Sequence, residues 1–161
     1  MEYATEWIVL QIIYVIVFMT MCTKADPERL PQVARLFRAA AEAETVHAHN
    51  HLRALNAIRS TMDNLQAAIS GETHEFKKIY LELIEAAKAE GQKVADKNLR
   101  IANSVERVHA QLFQDLLDNL ENMKGRYSYY VCPLCGFTSE KEAPGTCPVC
   151  GMKGSTFKKV D

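Results

Sequence analysis

The sequence predicts a mainly α protein, in which a helical bundle is followed by a small β ribbon that binds metal. Residues 24–59 and 63–124 are rich in Ala, Glu, Lys, Leu and Gln, which favour helices. No stretch before Ser128 alternates as a half-buried strand would. Residues 128–161, by contrast, contain four of the five cysteines. These three observations place a helical part before a metal-binding part.

Composition narrows the classes of function. A chain of 161 residues with 48% hydrophobic and 24% charged residues is typical of one globular domain with a small appendage. The 19 basic and 20 acidic residues give a net charge of -1, without the basic surplus of nucleic-acid-binding proteins, so we expect no nucleic-acid partner. The change of composition near Gly125 predicts a bundle domain over 1–125 and a ribbon domain over 128–161.

The first segment, 1–23, is atypical. Residues 7–23 (WIVLQIIYVIVFMTMCT) carry no charge and are apolar nearly all round. Three interpretations fit: a buried bundle helix, a membrane anchor, or a foreign or frame-shifted N-terminus. Seventeen residues fall short of the ~20 that span a bilayer, which disfavours a membrane role. The many β-branched residues suit a strand as well as a helix.

Apolar residues at three- to four-residue spacing predict the remaining helices. Asp26 is expected to cap the first of them, with Pro27 at its first position. Asp63-Asn-Leu-Gln66 resembles a capping box, and Gly91 is suited to a helix end. The predicted bounds are Pro27 to about Ile58, Asp63 to Gly91, and about Gln92 to Lys124. In the last helix the side chains expected to face inward are Val94, Leu99, Ile101, Val105, Val108, Leu112 and Leu116.

Two of the five histidines follow a glutamate by three residues, in Glu44-Thr-Val-His47 and Glu106-Arg-Val-His109. Residues i and i+3 share a helix face, so each carboxylate and imidazole can reach one metal ion. A single pair of this kind is usually a solvated contact. Two pairs on two predicted helices favour a metal site.

A further acidic motif, Glu72-Thr-His-Glu75, lies on the intervening helix. Glu72 precedes Glu106 by 34 residues, and a turn at Gly91 would bring both to the same height. One Glu from each of two helices and Glu-x-x-His from each of two others form the ligand set of di-iron carboxylate sites in helical bundles. Clustered buried carboxylates need a cation, and carboxylates with imidazoles suit iron or manganese.

The two halves of the bundle resemble repeats separated by 61 residues. The residue 61 positions before Glu72 is Gln11. If the halves are repeats, this position should carry a carboxylate like that of Glu72. A glutamine offers a neutral oxygen but no charge. The sequence therefore predicts a bundle site with one poor ligand, Gln11, and six good ones: Glu44, His47, Glu72, Glu75, Glu106 and His109.

The cysteine spacing is the strongest signal. Cys132-Pro-Leu-Cys135-Gly and Cys147-Pro-Val-Cys150-Gly are two knuckles separated by 11 residues. Four thiolates form a tetrahedral site for iron or zinc, and so short a ribbon needs its metal to fold.

Paired C-x-x-C motifs, unlike the dispersed cysteines of a disulfide framework, favour a reducing compartment. Glu2 and Glu6 stand where a secretory signal would be positively charged. We therefore expect a cytoplasmic protein.

Together these motifs resemble the rubrerythrin family. The resemblance covers roughly Lys24–Asp161 and implies a ferritin-like four-helix bundle, which holds two irons, followed by a rubredoxin-like ribbon with one Fe (or Zn) in its four-cysteine site. It is carried by AEAETVHAHNHLRAL (41–55), NLQAAISGETHEF (64–76), SVERVHAQLF (104–113) and YVCPLCGF with APGTCPVCG (130–151).

The resemblance also implies roles for the bundle residues. Glu44 and Glu106 resemble bridging carboxylates, and Glu72 and His109 resemble terminal ligands of one iron. Glu75 and His47 resemble alternative ligands of the other iron, exchanged as its oxidation state changes. The family's remaining ligand is a Glu in a Gly-Glu-Ser motif on the first helix. This motif is missing from residues 1–23, and Gln11 stands in its place.

The activity implied is reduction of hydrogen peroxide to water in oxidative-stress defence, with electrons delivered through the Fe(Cys)4 centre. The sequence contains no Gly-rich nucleotide-binding motif, so a separate NAD(P)H-dependent reductase or a rubredoxin is expected as the donor. The family resemblance also implies a homodimer or higher homo-oligomer. The alternative is an electron-transfer or metal-binding protein whose di-iron site is impaired by Gln11.

Overall fold

The computed structural model describes residues 2–122 and 125–161, with side-chain detail from residue 9 onward. These residues divide into two compact units, one up to Arg59 and one from Ser60. The bundle domain at 1–125 and the ribbon domain at 128–161 remain predictions.

The first unit is a hairpin of two helices, α1 (Glu2–Ala25) and α2 (Pro31–Ala54). Ala34, Ala41 and Ala48 are buried at seven-residue intervals on α2, and their small side chains allow α1 to approach closely. The Cys22 thiol donates to the carbonyl oxygen of Ala34 at 3.5 Å. Since α1 is helical, the alternative of a strand in this segment is wrong.

The turn between these helices corrects the predicted start of α2. Asp26 does not cap a helix at Pro27; it accepts a hydrogen bond from Arg38 at 3.1 Å. The chain turns through Arg29, whose φ is 59°, and α2 begins at Pro31. Proline suits this first position because the missing N–H would have had no partner within the helix.

Many apolar side chains of α1 remain exposed, including Ile12, Ile13 and Ile16. Within the part of the chain that the structure describes, no helix combines the length and apolar character needed to cross a membrane.

The second unit contains a long broken helix packed against α5 (Lys93–Asp118). The broken helix consists of α3 (Thr61–His74), a π-helical turn (Glu75–Ile79) and α4 (Tyr80–Ala89). A short 3-10 turn, Leu120–Asn122, follows α5.

The ends of these helices partly follow the prediction. The second predicted helix begins two residues before Asp63, because Ser60 is its cap and accepts from the Asp63 N–H at 3.1 Å. Gly91, at φ 70°, lies in the turn after α4, two residues beyond the helix end at Ala89, close to where the sequence predicts that end. The predicted end at Lys124 lies outside the described residues.

Most side chains predicted to face inward from α5 are buried or half-buried, and Val105 is 2% exposed. Val94 is the exception at 76% exposed, because it lies in the first turn of α5, just after the turn at Gly91.

The C-terminal ribbon is a three-stranded antiparallel sheet in the order β2-β1-β3. Its strands are β1 (Tyr129–Val131), β2 (Thr138–Glu140) and β3 (Lys158–Val160), with a 3-10 turn (Gly154–Thr156) before β3. A Cβ atom at Gly154 would overlap the carbonyl oxygen of Pro144, so this close backbone approach requires glycine. The mainly α architecture with a small β ribbon is confirmed.

Candidate metal sites

Three of the predicted bundle ligands come together in the second unit. One ligand atom from each of Glu72, Glu106 and His109 lies within 4.8 Å of the others. The Nδ1 atom of His109 is 2.9 Å from Glu106 Oε2 and 3.9 Å from Glu72 Oε1. Glu106 and His109 share a face of α5 because they are three residues apart, and α3 brings Glu72 opposite them.

The electrostatics of this cluster suit a cation. Burial raises the pKa of Glu72, and repulsion from Glu106 raises it further. Two carboxylates that share a half-buried site disfavour each other's charge, and a metal ion removes that repulsion. The donor set of two carboxylates and one imidazole therefore fits iron.

Tyr80 is a further member of this cluster. Its hydroxyl donates to Glu106 Oε1 at 3.2 Å. Burial and the neighbouring Glu106 charge raise the pKa of Tyr80 to about 12, so it remains a donor near neutral pH.

The π turn explains how Tyr80 reaches the cluster. The Tyr80 N–H donates to the Glu75 carbonyl oxygen, five residues earlier. In a regular α-helix, the eight steps from Glu72 to Tyr80 would rotate the two side chains about 80° apart. The extra residue of the π turn removes most of this difference, so both side chains face α5.

The other predicted ligands of the bundle site lie outside this cluster. Glu75 is exposed at the start of the π turn and is not part of the cluster. Glu44 and His47 lie in the first unit on α2, with His47 Nδ1 3.1 Å from Glu44 Oε2. They repeat the arrangement of Glu106 and His109. As ligands of one di-iron site, the six residues remain a prediction.

Gln11 lies on α1 at the height of Glu44. Adjacent contacts define this register, since Phe18 stacks on Phe37 with ring centroids 6.2 Å apart and Cys22 contacts Ala34. In the described part of the chain, Gln11 Oε1 is a buried oxygen without a hydrogen-bond partner. An unpaired oxygen in this position has the chemistry of a neutral metal ligand.

The four ribbon cysteines form a second cluster, with their sulfur atoms within 4.8 Å of one another. The sulfurs of Cys132 and Cys150 are 3.6 Å apart, and those of Cys135 and Cys147 are 3.5 Å apart. A tetrahedral metal with bonds of about 2.3 Å to sulfur requires separations of about 3.8 Å. The cysteines are therefore arranged to bind one ion.

Backbone amides support this site. Burial alone would raise the pKa of Cys147, but the N–H groups of Cys150 and Val149 lower it to about 7. Burial raises the pKa of Cys135 above its usual range, so a bound cation is needed to keep that sulfur a thiolate.

The two clusters are joined by a contact that the sequence did not reveal. The Nε2 atom of His109 lies 3.1 Å from the hydroxyl oxygen of Thr138 on β2. Thr138 belongs to no recognisable motif, and 29 residues separate it from His109, so no signal in the sequence could have identified the pair.

Comparisons with known proteins agree with this geometry. The family described as Rubrerythrin matches residues 16–117 and, in an overlapping match, 63–132. The family described as Rubrerythrin, rubredoxin-like domain, matches residues 130–158. Neither match includes Gln11.

Individual relatives align with most of the chain. Rubrerythrin-2 of Clostridium acetobutylicum is 35% identical over 151 residues, covering 84% of this chain and 82% of its own. Nigerythrin of Nitratidesulfovibrio vulgaris is 26% identical over 140 residues, covering 78% and 69% respectively. A solved structure of nigerythrin in a mixed-valence state is 23% identical, with a TM-score of 0.62 over 99% of this chain and 85% of that one.

These matches confirm the ferritin-like and rubredoxin-like fold class, together with a di-iron centre and a four-cysteine metal site as the cofactors. Because the family match spans most of the helical part and the clostridial relative aligns along most of both chains, this chain belongs to the rubrerythrin family.

Proposed function

We propose that this chain is a non-haem di-iron peroxidase, which reduces hydrogen peroxide to water in defence against oxidative stress. The observation that carries the proposal is the Glu72–Glu106–His109 cluster, joined through Thr138 to a ribbon with four convergent cysteines. A storage protein has no need of a thiolate centre in contact with its carboxylate site.

Each part of the chain has a defined task in this proposal. Glu72, Glu106 and His109 would hold iron in the bundle, and Glu44 and His47 would complete the site, as in the family. A pair of ferrous ions supplies the two electrons that cleavage of the O–O bond requires. Tyr80 remains protonated and orients Glu106. The overall reaction consumes one peroxide, two electrons and two protons and yields two waters.

Replacement electrons would enter through the ribbon. The four thiolates would hold one iron as a one-electron carrier, which an NAD(P)H-dependent reductase or a rubredoxin would reduce. Self-association as a homodimer or higher homo-oligomer is part of the proposal, because α1 and α2 leave large apolar side chains exposed, such as Ile16, Leu36 and Val46. Sedimentation equilibrium of the full chain tests that part, and a monomer at all concentrations would contradict it.

Metal content and turnover together test the activity. The iron-loaded chain is expected to hold about three irons and to consume hydrogen peroxide anaerobically when a reducing partner is supplied. His109→Ala is expected to lose bundle iron and turnover while keeping the ribbon iron. One iron per chain, or zinc alone, without turnover would overturn the proposal.

The second candidate is an electron-transfer or metal-binding protein with an impaired bundle site. Gln11 favours it, because a neutral amide occupies the place of the family's first-helix carboxylate. This candidate predicts ribbon iron that exchanges electrons normally and a bundle that retains little iron. The same measurement of iron and turnover separates the two.

A further inference from the structure

We infer that Thr138 is a positioning residue, which holds the proton on Nε2 of His109 and orients the ring so that its Nδ1 atom faces the bundle metal site. The inference rests on the metal-binding part of the proposed function and does not depend on peroxide as the substrate.

The hydrogen bonds around Thr138 determine where its proton lies. The Thr138 hydroxyl donates to the carbonyl oxygen of Gly136 at 3.1 Å, and a carbonyl oxygen can only accept. A hydroxyl has one proton to donate. Thr138 therefore accepts its other hydrogen bond, at 3.1 Å, from the Nε2–H group of His109.

This assignment decides which nitrogen faces the bundle cluster. With the Nε2–H group bound to Thr138, Nδ1 faces the carboxylates of Glu106 and Glu72, at 2.9 Å and 3.9 Å. An ionised carboxylate can only accept, so in the metal-free chain Nδ1 donates to Glu106. A metal ion bound here would replace the proton on Nδ1, and Thr138 would keep the proton on Nε2 and hold the ring in place.

The same contact links this orientation to the second cluster. Gly136 follows the ligand Cys135, and its N–H donates to the Cys132 carbonyl oxygen at 3.0 Å. The position of the Gly136 carbonyl therefore depends on the cysteine knuckle, and that carbonyl holds the Thr138 hydroxyl. A correctly formed ribbon is thereby required for the correct orientation of His109.

Valine and serine substitutions of Thr138 distinguish the effect of its hydroxyl group from the effect of its side-chain shape. Thr138→Val keeps the shape and removes the hydroxyl, whereas Thr138→Ser keeps the hydroxyl. Thr156→Val is the matched control, because Thr156 is exposed in the ribbon and donates to the backbone at Lys153. Ribbon absorbance and a thermal melt verify that each variant folds.

Anaerobic titration of the full chain with Fe²⁺, after the ribbon site has been filled, measures binding at the bundle. Thr138→Val is expected to weaken Fe²⁺ binding about 10- to 100-fold, whereas Thr138→Ser and Thr156→Val are expected to remain within about threefold of wild type. In the Zn²⁺-loaded protein, ¹H–¹⁵N NMR is expected to show a slowly exchanging His109 Nε2–H signal that only Thr138→Val loses.

Equal Fe²⁺ affinity and an unchanged Nε2–H signal in Thr138→Val would overturn the role of Thr138 and leave the proposed function intact. A wild-type chain that binds no Fe²⁺ in the bundle would overturn both.

Discussion

Tyr80 donates a hydrogen bond of 3.2 Å to Glu106, and the two residues lie on helices that face each other within the second unit. Tyr80→Phe removes this bond and leaves a half-buried carboxylate with one partner fewer. We expect the metal-free protein to lose about 1 kcal/mol of unfolding free energy, measured by urea denaturation. Because the pKa of Tyr80 is about 12, the loss should be constant between about pH 6 and pH 9.

Tyr14→Phe is the control for this substitution, because the Tyr14 ring stacks on Phe18 and the ring is retained. Tyr14→Phe should therefore lose clearly less unfolding free energy than Tyr80→Phe. Equal stability of both would show that the hydrogen bond to Glu106 contributes nothing.

Replacing Glu72 should have opposite effects on stability and on metal binding. The folded state raises the pKa of Glu72 through burial and through Glu106, so ionisation of this group destabilises the metal-free fold. Glu72→Gln should therefore raise the Tm of metal-free protein at about pH 8. The gain should shrink as the pH falls and wild-type Glu72 becomes protonated.

The same variant should lose iron from the bundle. Glu85→Gln is the control, because Glu85 is exposed on α4 and pairs with Lys88 at the surface, so its stability change should stay within about 0.5 kcal/mol. A Tm gain for Glu72→Gln that is the same at pH 4 and pH 8 would contradict a pKa of Glu72 that burial and Glu106 raise in the folded state.

Restoring a charge at Gln11 should improve the bundle site. Gln11→Glu places a carboxylate on α1 at the height of Glu44, where Gln11 Oε1 has no partner among the described residues. We expect Fe²⁺ affinity to rise about tenfold, as measured by anaerobic titration, whereas Gln11→Met should not raise it. Unchanged iron binding by Gln11→Glu would mean that position 11 does not face the metal site.

Removing one cysteine should unfold the ribbon. Cys147→Ser deletes a thiolate whose pKa is already lowered to about 7, and metal sites of this type contribute roughly 10–16 kcal/mol. We expect the chain to lose about one metal ion, with its thiolate-to-metal absorbance, while the helical circular dichroism persists. Cys22→Ala removes a buried thiol from the first unit and should keep both signals. Retention of the ribbon metal by Cys147→Ser would exclude a four-cysteine site.

The sequence predicted the parts of the fold that short-range chemistry determines. The cysteine knuckles, the helix end near Gly91 and the Glu106–His109 pair were all recognisable because their spacing reflects the geometry of one turn or one helix. The start of α2 was misplaced because Pro27 and Pro31 are equally suited to a first helical position, and the turn at Arg29 decides between them.

Contacts between residues far apart in the chain could not be predicted from the spacing of motifs. Thr138 reaches His109 only because the ribbon packs on α5, and one threonine has no distinguishing pattern. The π turn was also missed, because a single inserted residue changes the apolar periodicity too little to be noticed in one sequence.

The π turn makes the length of this helix a functional property. Deleting one residue between Glu75 and Ile79 would restore an uninterrupted α-helix and leave Tyr80 facing α5, because the remaining seven steps from Glu72 amount to nearly two full turns. Inserting one more residue at the same place would instead rotate Tyr80 and the buried side chains of α4 by about 100° away from α5. A one-residue deletion in this segment should therefore be tolerated better than a one-residue insertion.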